Sequence, residues 1–145
     1  MTYATQADLV DRFGAVELAQ LTDEVSGTTI NAATVAQALA DASAEIDGYL
    51  GVRYALPLTF VPPVIERLAC DIARYYLFDE RVSEAVRNRY LSAVAMLKSM
   101  SAGSVTLGSS VAPAPDAAAT GITVKARSRT RVFSDDVLDS YGSSY

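Results

Sequence analysis

Three stretches of the chain place apolar residues at steps of three and four. Val35, Leu39, Ala42, Ile46 and Tyr49 would line one face of a helix over 32–50. Ile65, Leu68, Ile72, Tyr75 and Tyr76 do the same over 64–78, and Val86, Tyr90, Val94 and Leu97 over about 84–101. Local signals frame these helices. Asn31 is an N-cap candidate with Ile30 and Val35 spaced for a hydrophobic staple. Pro57, Pro62 and Pro63 make residues 52–61 an extended connector, and Pro63 suits a first helical turn. Gly51 reads as the C′ residue of the first long helix, Ser83 with Glu84 starts the last, and Gly103 stops it. Two shorter helices precede them. One, over 6–13, is opened by Thr5 and Asp8 and ended by Gly14; the other covers 15–21.

The pattern changes after Gly103. Residues 104–121 are small, Pro-bearing and nearly uncharged, which reads as a linker, with a short strand at Val105–Leu107 as an option. In residues 122–133 Lys125, Arg127, Arg129 and Arg131 occupy every second position. A strand has period two, so all four would leave one face, with Ile122, Val124 and Val132 on the other and Phe133 closing the run. The cations then either dock on an acidic or phosphate surface or form a solvated edge that discourages aggregation. Asp135, Asp136 and Asp139 follow, and could meet the arginines of a neighbouring copy. The expected fold class is therefore mainly α: a small helical bundle over 1–103, a linker over 104–121, and an extended C-terminal β-strand arm over 122–145.

Composition narrows the function. The chain has 145 residues, half of them hydrophobic, an ordinary globular mix. It has no histidine, which removes the commonest general base and the commonest transition-metal ligand together. Cys70 is the single cysteine and sits in the apolar run LACDIA, where a small buried hydrophobe is expected. The N-terminus lacks a basic region followed by an apolar run, and no apolar run could cross a bilayer, so a soluble protein made in the cytoplasm is expected, with no membrane partner. Residues 1–110 carry eight Lys/Arg against thirteen Asp/Glu, whereas 111–145 carry four of each. An acidic helical body argues against a DNA-gripping face there.

Two runs, AEIDGYLGVRYALPL and VPPVIERLACDIARYYLFD, carry Ile46, Asp47, Tyr49, Leu50, Arg53, Tyr54, Pro57 and Leu58, then Ala73, Arg74, Tyr75 and Leu77. In these residues the chain resembles the head–tail adaptor, or head-completion, proteins of Mu-like tailed phages, over about residues 3–101. The resemblance implies a protomer of a dodecameric ring beneath the portal protein. Such a ring would meet a tail terminator, stopper or other neck protein and let genomic DNA pass without sequence-specific binding, at the virion neck. Asp47 and Arg53 are expected to form an ion pair that fixes the connector, or else to meet a partner. Tyr49, Tyr75 and Tyr76 are expected in the core or at an interface, and Arg67, Asp71 and Arg74 on a solvated face or at a partner.

Other classes fare worse. The acidic pairs Asp41/Glu45 and Asp79/Glu80 lack an accompanying nucleophile–base set, phosphate loop or metal-ligand cluster, so no enzyme and no cofactor are expected. A small DNA-binding helical module would need a basic recognition helix, and only the arm is basic. Another neck or tail-completion protein is the alternative within the structural class.

Overall fold

The computed structural model describes residues 1–23, 25–78, 82–108 and 111. Among the described residues five helices form in chain order: α1 (Gln6–Phe13), α2 (Ala15–Thr22), α3 (Ala32–Leu50), α4 (Pro63–Phe78) and α5 (Glu84–Ser101). No strand is formed among the described residues, and the strand option at Val105–Leu107 is not taken up. The arm over 122–145 lies outside the described residues.

The boundaries follow local chemistry. The Thr5 side chain accepts from the Asp8 amide, and the Asp8 carboxylate accepts in return from the Thr5 amide at 2.7 Å. These hydrogen bonds hold the Asp8 carboxyl below its ordinary range, with Thr5 the main cause. Gly14, at φ +89°, turns α1 into α2 with a backbone conformation that favours glycine. The Asn31 side chain accepts from the Ala33 and Thr34 amides, and that of Ser83 from Val86. Gly51 differs from expectation. Its φ is −59°, so no left-handed cap forms there; a Cβ would instead sit 3.0 Å from the Asp47 carbonyl oxygen and 3.2 Å from Leu56. Close approach of the connector, not positive φ, is what asks for glycine.

α3, α4 and α5 pack on one another as a three-helix core, and α1 and α2 lie across α4, with α1 also touching α3. Val35, Leu39, Ala42 and Ile46 are buried as their spacing predicts, as are Ile65, Leu68, Ile72, Val86 and Leu97. Small buried residues, Ala38 and Ala42 on α3 with Ala69 and Ala73 on α4, allow close axial approach of this pair. Cys70 is fully buried, and burial pushes its thiol up to about 12, so it packs as a small core hydrophobe. Among the described residues every buried side-chain nitrogen and oxygen has a hydrogen-bond partner.

Candidate assembly surface

The residues of the two signature runs act mainly as joints between elements. Asp47 accepts a hydrogen bond from the Tyr3 hydroxyl, and the Tyr3 amide donates to Ser43 Oγ at 3.1 Å, so the N-terminus is fastened to α3. Burial, then the Asp47 bond, raises the Tyr3 phenol above its ordinary range and keeps it a donor. The expected Asp47–Arg53 ion pair does not form: Asp47 is engaged by Tyr3, and the Arg53 guanidinium lies over Gly103. Gly103 has φ +81°, and a Cβ there would collide with that guanidinium. Tyr54 is buried and its hydroxyl accepts from the Leu107 amide at 3.1 Å. Val105 and Leu107 are thereby held against the core.

The connector between α3 and α4 is sorted by this anchoring. Tyr54 and Leu58 drop into the core, Pro57 stays exposed, and Val52, Leu56 and Phe60 point out with 69%, 38% and 52% of their surface accessible. At the other end of α3, Val16 and Val25 are exposed. Val16 borders a mostly apolar groove of about 540 Å³ formed with Ala15, Ala19 and residues 27–30. The 19 residues of α3 separate these two patches by about 28 Å at 1.5 Å per residue. The connector patch and Val25 sit in turns, outside helical periodicity, and their only signal was apolar residues in loop sequence; Val16 lies on α2, whose outward face leaves it exposed.

A second construction joins α3, α4 and α5. Tyr75 stacks on Tyr90 with centroids 4.1 Å apart, and Tyr76 sits edge-on to Tyr75 at 6.1 Å. Glu45 accepts from the Tyr76 hydroxyl at 2.7 Å through one oxygen and from the Tyr90 hydroxyl at 3.1 Å through the other. Burial first, then Glu45, raises both phenols, that of Tyr90 to about 12. Tyr75 and Tyr49 are half-buried. Tyr76, expected among the buried stripe of α4, is exposed because its ring must reach past the core to Glu45.

The ladder Arg67, Asp71 and Arg74 is likewise not a plain solvated face. Arg74 is half-buried, contacts Glu17 at 2.6 Å and stacks over Phe13 at 4.4 Å, tying α4 to α1 and α2. Arg12 pairs with Glu66 at 2.7 Å. Asp71, with 17% of its side chain accessible, faces Arg89 at 3.9 Å. Burial holds the Asp71 carboxyl above its ordinary range, although Arg89, Arg67, Arg12 and Arg74 pull it down. A raised carboxyl favours the protonated folded state, so its contribution to stability is present in acid and lost as pH rises through the folded pKa. Asp71→Asn is therefore expected to stabilise the protein at neutral pH, with the gain fading below about pH 4, the ordinary aspartate range. Urea midpoints measured across that pH span check this.

Lys125, Arg127, Arg129, Arg131, Ile122, Val124, Val132 and Phe133 lie outside the described residues. Among the described residues no helix is long and apolar enough to cross a membrane, and no group of three or more candidate ligands could hold a metal ion.

Comparison with known proteins covers both signature runs. The chain matches the family described as Bacteriophage Mu, Gp36 over residues 3–126. The chain belongs to this Mu Gp36 family. It is similar to the Mu-like prophage FluMu protein gp36 of Haemophilus influenzae, at 39% identity over 106 residues, covering 73% of this chain and 75% of that protein. It is also similar to gene product J of Escherichia phage Mu, at 38% identity over 109 residues, covering 74% and 77%. The match with the Gp36 family takes in all five helices and runs on into the basic segment up to residue 126.

Proposed function

We propose that this Mu Gp36 family member is a head–tail adaptor: a structural protomer of a closed ring, with dodecameric symmetry, at the virion neck. The observation that carries the reading is the two-ended display of apolar side chains on a rigid helical body. Val52, Leu56 and Phe60 lie at one end of α3, and Val16 with Val25 at the other. Two different patches on one protomer favour head-to-tail contacts, which close into rings when the rotation permits. Membership of a phage Mu family gives the setting. In this reading the portal protein lies on one side and a tail terminator, stopper or other neck protein on the other, and the chain performs no catalytic step. The acidic body, with thirteen acids against eight bases over residues 1–110, suits a channel wall along which DNA slides without sticking.

Electron microscopy of phage particles labelled with an antibody fragment against this chain tests the placement. Label at the head–tail junction, with closed rings from the purified chain, is the expected result. Label on the capsid shell or the tail tip, or a chain absent from particles, would overturn it.

A further inference from the structure

Where α1, α4 and α5 meet, the surface opens into a groove of about 660 Å³. Its apolar lining comes from Phe13, Leu68, Ala93 and Met96, and its rim carries Arg12, Arg67 and Arg89. An acidic body thus gathers three of the eight cationic side chains of residues 1–110 around one cleft. Two of them are weakly engaged. Arg89 is 3.9 Å from Asp71 with 60% of its side chain accessible. The Arg67 guanidinium reaches only the Met96 sulphur, at 3.8 Å, a poor acceptor, and forms no ion pair among the described residues. Guanidiniums whose forked donors lack a carboxylate are ready to bind one bidentately. Glu66 neutralises Arg12, and Asp71 opposes an incoming anion, which leaves Arg67 and Arg89 against one carboxylate and the cleft with a net positive charge.

We propose that this groove holds the chain's own acidic C-terminal segment, residues 134–139, SDDVLD. That segment matches the groove in both respects: Asp135, Asp136 and Asp139 supply the anions, and Val137 and Leu138 the apolar side chains for the lining. The 23 residues between Val111, which is buried in the core, and Asp135, at about 3.3 Å each when extended, reach a groove on the same body or on a neighbour. The inference rests on the groove and the charge pattern, and stands whether or not a ring forms.

A photoreactive benzoylphenylalanine in place of the exposed Ser92 on the groove wall, in the full-length chain, tests it. After irradiation and trypsin digestion, the adduct is expected on the peptide 132–145, released by cleavage after Arg131. Mixing isotope-labelled and unlabelled chains shows whether the segment comes from the same or another copy; either origin supports the docking. Arg67→Glu with Arg89→Glu is expected to abolish the adduct, and adding Asp135→Lys with Asp136→Lys to restore it, now on the shorter tryptic pieces of 132–145 that the new lysines create. Arg67→Gln alone, which gives up only the sulphur contact, should weaken it. Circular dichroism confirms that each variant is folded. Adducts only on other peptides, no adduct from a folded chain, or an adduct indifferent to the arginine reversals would overturn the proposal.

Discussion

Ile72→Ala is expected to lower the unfolding free energy by about 2–5 kcal/mol, the cost of emptying a large aliphatic site in a packed core. Ile72 is fully buried at the middle of α4, and α4 is the helix that packs against all four others. A cavity there loosens α3 and α5 on one side and α1 and α2 on the other. A domain of this size has a total stability of only about 5–15 kcal/mol. The variant should therefore unfold at much lower urea concentration, or fail to accumulate when expressed at elevated temperature. Leu91→Ala is the matching control. Leu91 is on α5 but 54% exposed, so truncation should change stability by less than about 0.5 kcal/mol. Urea titrations followed by far-UV circular dichroism measure both. Equal shifts in the two variants would mean that α4 is not the centre of the fold.

The contrast between those two leucine-sized side chains was already present in the sequence, since Ile72 lies on the apolar stripe of its helix and Leu91 does not. Helix ends were legible for the same local reason. Thr5, Gly14, Asn31, Pro63 and Ser83 act within one turn of their own position, and the structure uses each where its chemistry indicates. Gly51 shows the edge of local reasoning: the glycine marks the end of α3, but in a right-handed conformation and not the left-handed one that a C′ glycine implies. What reaches across the chain was hidden. Asp47 meets Tyr3 44 positions away, Glu45 meets Tyr76 and Tyr90 at 31 and 45, and Arg74 meets Glu17 at 57. Spacing within a helix says which face a carboxylate occupies, not which tertiary partner arrives there. Local spacing therefore pairs Asp47 with nearby Arg53, whereas the fold brings the Tyr3 hydroxyl to Asp47 and carries Arg53 to Gly103. The basic alternation at Lys125–Arg131 stands out in one dimension but lies outside the described residues, whereas the arginine groove exists only once three helices converge.

Deleting residues 122–145 is expected to leave a folded helical monomer and to abolish stable assembly. The magnitudes favour this outcome. Burying Val52, Leu56 and Phe60 at a neighbour contributes at most about 1.5–3 kcal/mol each, and less for surface already covered. Association costs on the order of 4–15 kcal/mol in lost rigid-body freedom. The connector patch therefore roughly offsets that cost without leaving a durable contact. A segment of 24 residues can supply the remainder by pairing with a partner's sheet edge, with Lys125, Arg127, Arg129 and Arg131 providing charge-assisted bonds and Ile122, Val124, Val132 and Phe133 apolar area. It also carries Asp135, Asp136 and Asp139, whose removal would leave the groove arginines without their proposed occupant. Sedimentation velocity reads the assembly state, and circular dichroism the helicity. Unchanged assembly would refute the arm's role, because the helical body alone would then close the ring. A loss of helicity would instead place the arm within the core, since a helical body whose buried side-chain polar atoms are satisfied among the described residues, and whose interior is filled by α3, α4 and α5, should not need it.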